Sequence, residues 1–150
     1  LCIQGGSEDT PRGDVAQGSK ISAGLLTSYD AARYAMEEIA ARSDEPQRTQ
    51  ATQDAKAATS VVNAAVAAGS EDKRLGAYAA PSESTDPSVS TQVLWARQVW
   101  SNIVSGEVQE AGSAKASSPA REAAVTGAVD AARRATAWGA DFSSLPGYAA

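Results

Sequence analysis

Between residues 25 and 39 apolar side chains recur at Leu25, Tyr29, Ala32, Met36 and Ile39, in steps of four and three. Such steps return to one side of a 3.6-residue helix, so the spacing predicts an amphipathic helix over about 25–43. Thr27 or Ser28 offers a slightly later cap, and Pro46 stops the run. The pairs Asp30/Arg33, Arg33/Glu37 and Glu38/Arg42 stand three or four residues apart and read as ion pairs on the solvent side.

The same rhythm returns three times. Ala51, Ala55, Ala58, Val62 and Ala65 form a stripe that ends at Gly69, predicting a helix over about 48–68. Asp86-Pro87 supplies an N-cap followed by proline, then Val89, Val93, Ala96, Trp100 and Ile103 share a stripe widened by Leu94, Val99 and Val104. That helix, expected over about 87–105 with Gly106 as its end, is the most hydrophobic and is expected to lie centrally with Trp100 and Ile103 buried. Ser118-Pro119 repeats the cap-then-proline signal before Ala124, Ala128, Ala131, Ala135 and Trp138, flanked by Val125, Val129 and Ala132 and ended by Gly139. Arg133 and Arg134 then stand in the last turns of a helix over about 118–138, where positive charge suits the dipole.

Residues 1–20 hold five glycines or prolines among Ser, Asp and Thr and read as a flexible N-terminal arm. Residues 70–87 read as a long connection with one helical turn near Glu71–Tyr78. Residues 140–150, with Phe142, Leu145 and Tyr148, read as a C-terminal tail able to fold back over one end. The expected fold is therefore all-α. An Ala-rich four-helix bundle spans residues 21–139 as a single domain, with room for a short fifth helix in the 70–80 connection.

Composition sharpens this picture. Of the 150 residues, 33 are Ala, and only 31 larger apolar side chains remain to fill a core. Alanine favours helix but buries little area, so the bundle is expected to be marginal alone and to complete its core through a partner or another copy of itself. The 18 acidic and 13 basic residues give a net charge of -5, and the basic pairs Lys73-Arg74 and Arg133-Arg134 have no interleaved aromatics. That balance argues against a nucleic-acid footprint and against an anionic membrane surface. No apolar run approaches the roughly 20 residues needed to span a bilayer, which reads as an acidic, soluble protein. The single Cys2 makes no internal disulfide and implies no particular compartment. A chain starting at Leu1 rather than Met reads as a processed form or a fragment, and Cys2 as a plain thiol rather than a lipid anchor.

The chain has no histidine, which removes the commonest general base, the commonest metal ligand and every Ser-His or Cys-His dyad. Three local matches to known chemistry are weaker than they look. Gly13 to Lys20 resembles a phosphate-binding loop, but the lysine comes one residue late and no buried strand precedes it. Ser70-x-x-Lys73 has the spacing used by penicillin-recognising enzymes but lacks their partner motifs, and its acidic neighbours keep the lysine protonated, so it reads as a capped helix start. Arg12-Gly13-Asp14 resembles an integrin-binding tripeptide and reads as a polar turn.

No catalytic, cofactor-binding or metal-binding residue is assigned, and no cofactor is expected. The pattern favours a non-enzymatic domain that binds a protein partner or self-associates, with the off-stripe aromatics Trp95 and Tyr34 as candidate partner contacts. One alternative is a bundle holding a small apolar ligand under the 142–148 tail. Another is an enzyme working through carboxylate, Ser, Lys or Tyr.

Overall fold

A computed structural model describes residues 20–82 and 86–142. The expected arm and tail therefore lie almost wholly outside the described residues, and with them Cys2, Arg12-Gly13-Asp14, Leu145 and Tyr148. Four helices carry the architecture: α1 (Ala23–Arg42), α2 (Gln47–Ala67), α3 (Thr91–Ser113) and α4 (Pro119–Ala137), with no strand among the described residues. α1 and α2 form one hairpin, turning through a cis Glu45–Pro46 bond, and α3 and α4 form a second. The hairpins join through α1 and α3.

The ends follow capping chemistry. Ser22 accepts the amide of Leu25 at the start of α1, and Ser118 accepts that of Arg121 at the start of α4, with Pro119 next in line. Thr27 and Ser28 do not cap; their hydroxyls donate back to the carbonyls of Ala23 and Gly24 one turn earlier. Gly69 and Gly139 end α2 and α4 at φ +87° and +96°, and the next amides, Ser70 and Ala140, reach back to Ala65 and Ala135. This is the αL termination that glycine adopts without penalty.

α3 departs from expectation at both ends. Asp86 caps a separate turn by accepting from the Ser88 amide, and the helix begins later, where Ser90 accepts the amide of Val93. Its far end runs through Gly106 to Ser113. A Cβ at Gly106 would lie 2.9 Å from Leu25 Cδ1, so this glycine serves the close approach of α1 and α3 and is not a terminator. The connection between α2 and α3 has no helical turn in residues 70–80, so the fifth helix is not formed. Gly76 and Pro81 interrupt it, and Asp72 is committed to both the backbone and the guanidinium of Arg74.

The core divides its labour between helices. α1 and α3 supply the large side chains, Leu26, Tyr29, Met36 and Ile39 from one and Trp100, Ile103 and Val104 from the other, all fully buried. α2 and α4 supply mainly alanines: Ala51, Ala55, Ala57, Ala58 and Ala65, and Ala123, Ala124, Ala128, Ala131 and Ala135. Large knobs on two helices pack against smooth walls on the other two, which fills the interior with few bulky residues. Phe142 packs against the edge of this core, half-buried.

At the α3/α4 interface a Cβ on Gly127 would lie 2.1 Å from Glu107 Oε2. Gly112, near the end of α3, has nothing within 4 Å of that position. Gly112→Ala is expected to stabilise the protein by up to about 1 kcal/mol through helix propensity. Gly127→Ala is expected to destabilise it despite the same propensity gain, and urea unfolding of the two variants checks the opposite signs. Trp100→Ala is expected to cost about 3–5 kcal/mol in the same assay, the usual range for a deleted core aromatic.

Candidate functional site

α4 is built the wrong way round for a helix whose only task is to cover a core. Its inward side is alanine, while Val125 and Val129 face outward at 48% and 56% exposure. Burying a valine side chain is worth about 1.5–3 kcal/mol, and an exposed helical valine costs about 0.5 kcal/mol against alanine in propensity. Val125 and Val129 do flank the alanine stripe as their spacing predicts, but they stand on its solvent side. They belong to an outward stripe with Glu122 and Thr136 that runs alongside the alanine stripe, while Ala132, between the two, packs partly buried against the core. Between Glu122 and Thr136 the outward stripe carries no charge, and Arg121 and Arg133 border it. Val108 of α3 is also exposed, one residue from the Glu107 that meets Gly127.

Behind this face, α4 is tied to α2 by a buried polar cluster. Arg134 Nη1 donates to Asp54 Oδ1 at 2.8 Å, its Nε donates to Asp130 Oδ2 at 2.8 Å, and its guanidinium lies 5.6 Å from the Trp100 ring. Trp138 Nε1 completes the arrangement by donating to Asp54 Oδ2 at 2.8 Å. Burial pushes the Asp54 carboxyl above its ordinary range, outweighing the hydrogen bonds from Trp138 and Arg134 that act the other way. Burial would lower Arg134, but its bonds to Asp130 and then Asp54 raise it overall. A cavity of about 230 Å³ opens beside the cluster, lined by Gln50, Gln53, Asp54, Asp130, Arg133, Arg134 and Ala137. Both carboxylates are already engaged by guanidinium groups, and the lining has no hydroxyl, thiol or amine nucleophile.

Two further acids are buried. Asp30, expected on the solvent side, is enclosed, accepting from Arg33 Nε at 2.7 Å and from the Tyr78 hydroxyl at 2.8 Å. Glu107 is fully buried and accepts from the Tyr29 hydroxyl at 2.5 Å. The pairs Arg33/Glu37 and Glu38/Arg42 form as the spacing predicts.

Tyr34 and Trp95 are brought together, their rings 6.1 Å apart and edge-on, with Tyr78 of the connection 5.8 Å from Tyr34. Trp95 is only 8% exposed and belongs to the core, and Tyr34 is half-buried against it, which leaves little of Trp95 for a partner. The Ser70-x-x-Lys73 spacing does not become a helical turn. Ser70 Oγ accepts the amide of Ile21, and Lys73 pairs with Glu71, so the reading of this stretch as a helix start is corrected.

A cavity of about 500 Å³ between α1 and α3 is lined almost entirely by polar and small residues, among them Ser28, Asn102, Ser105, Gln109 and Glu110. Among the described residues no group of three or more His, Cys, Asp or Glu comes together to hold a metal ion, and no helix is long and apolar enough to cross a membrane. The chain matches no protein-family model, no curated protein and no solved structure.

Removing one member of the Arg134 cluster should be costly in a graded way. Arg134→Met leaves two buried carboxylates without their shared cation and is expected to cost about 3–5 kcal/mol. Asp54→Asn keeps one acceptor and orphans one donor, for about 1–3 kcal/mol. Because the folded Asp54 holds its proton more tightly than the unfolded one, its contribution is most favourable at low pH. That advantage is lost as pH rises from about 3.8, the ordinary value for an aspartate in the unfolded chain, through the raised folded value. The stability of the wild type relative to Asp54→Asn should therefore grow on acidification from pH 7 toward pH 4, as read from urea unfolding at several pH values.

Proposed function

We propose that this protein is a non-enzymatic helical interaction domain that binds protein through the outward face of α4. The supporting observation is the inversion of that helix, which buries alanine and presents Val125 and Val129 to solvent. Exposed valine contributes nothing to a helix that alanine would not supply more cheaply, so the face is built to be covered. The polar cluster behind it, with Arg134 joined to Asp54 and Asp130, holds α4 in place as a platform. The apolar-ligand alternative has less support, since Trp100, Tyr29, Leu26 and Met36 fill the interior between the helices. The enzymatic alternative has less support because the buried carboxylates are occupied by their own partners.

A photo-crosslinking residue placed at Val125 tests this reading in the cells that make the protein, with the exposed Asn63 of α2 as the control position. The expected outcome is a discrete protein adduct, to another copy or to a different protein, from position 125 and none of comparable yield from position 63. Equal, diffuse labelling from both positions, or none from either, overturns the reading.

A further inference from the structure

We infer that the occupant of the α4 face is α4 of a second copy of this chain, packed antiparallel; this rests on the reading of that face given above. The face is complementary to itself. In an antiparallel pair related by a twofold axis, the axis that sets Val125 opposite the partner's Val129 passes the level of Gly127. The axis that sets Glu122 opposite the partner's Arg133 passes half a residue further along, between Gly127 and Ala128. A single axis therefore serves both pairings to within one helical rise of about 1.5 Å, well inside the reach of an arginine side chain.

The sideways placement agrees with the lengthwise one. At 3.6 residues per turn, Glu122 and Arg133 lie on the same flank of the Val125/Val129 stripe, and Arg121 lies on the other. A twofold axis perpendicular to the plane of the two helices keeps each flank on its own side, so the partner's Arg133 meets Glu122 and not Arg121. The pairing thus has two opposite-charge contacts, one at each end, enclosing an apolar centre of four valines, with the like charges apart. A parallel pairing exchanges the flanks: it would set Glu122 beside the partner's Arg121, whose Nη1 is already engaged by the Ala111 carbonyl at 3.1 Å, and would leave Arg133 with no acid of the partner's α4 opposite it. The stripe is about 21 Å long, a single helix–helix contact, so the association is weak and becomes visible at about 0.1–1 mM protein.

Disulfide trapping in a Cys2→Ser background tests the geometry without disturbing the core. Chains carrying Val125→Cys or Val129→Cys are oxidised alone and as a mixture, at concentrations where sedimentation velocity shows self-association of the wild type. The antiparallel pairing brings position 125 to position 129 and offsets each from itself by about 6 Å along the axis. The mixture should then give mostly the mixed disulfide, with each single variant at least fivefold slower. Glu122→Arg should weaken association about fivefold to tenfold, and Glu122→Arg with Arg133→Glu should regain most of that loss. Homodisulfides outpacing the mixed one would overturn the antiparallel pairing. A chain that stays monomeric to 1 mM would overturn self-pairing. A Val125 photo-adduct to a different protein would then still uphold the interaction face, and the absence of any adduct would overturn both.

Discussion

The reach of Arg134 across the bundle is the interaction on which the arrangement of the helices depends. α1 packs on α2 and on α3, and α3 on α4, but α2 and α4 have no comparable backbone approach. The gap between them is wide because the large side chains of α1 and α3 occupy the middle, and alanines are too short to close it. A guanidinium on a long stem closes it, carrying Asp130 on its own helix and Asp54 on the other. Two acids share one buried cation, and the indole of Trp138 donates to the other carboxylate oxygen of Asp54. The tie works because every charge has a named partner; buried ions without such pairing would cost more than they return.

That tie also explains how α4 can have two apolar sides. A helix held only by hydrophobic contact turns its largest apolar residues inward, since that orientation releases the most surface from water. α4 is held by Arg134, by Trp138 and by the Nε of Arg97, which donates to the Trp138 carbonyl at 2.7 Å. Its rotation is set by polar geometry, and the valines are left on the outside. The buried polar tie and the outward valines are two results of one orientation.

Much of the fold is legible in the sequence, because the four stripes, the Ser118-Pro119 start and the Gly69 and Gly139 ends are local signals with local causes. α3 was harder to read for a physical reason. Gly106 has the composition of a helix end but the job of letting Leu25 approach, and nothing in its neighbours distinguishes the two. The buried acids are hard to read from sequence because charge ordinarily means exposure, yet their positions carry a signal. Asp54 falls three residues after Ala51 and four before Ala58, inside the stripe, and Glu107 continues the series of Trp100 and Ile103 by one further step of four. A charged residue standing where the periodicity demands an apolar one marks a buried pair. The outward face of α4 was not legible from spacing alone, since Val125 and Val129 border the alanine stripe closely enough to pass for part of it. Tyr34 and Trp95 lie off the stripes, and they are covered because they pack on each other, with Tyr78 of the connection against Tyr34.

A wall of alanines has a drawback that Glu107 and Gly127 resolve. Ala124, Ala128, Ala131 and Ala135 are interchangeable, so sliding α4 one turn along α3 would present nearly the same surface and cost little in packing. Such a ladder does not specify its own register. The carboxylate of Glu107 occupies space that only Gly127 leaves open, and any shift by a turn would drive an alanine methyl into it. One missing methyl group, at one position out of the nineteen in α4, therefore singles out a unique alignment from a set of near-degenerate ones. The fold spends a poor helix former and a buried acid on uniqueness, and the alanines supply the bulk of the packing around them.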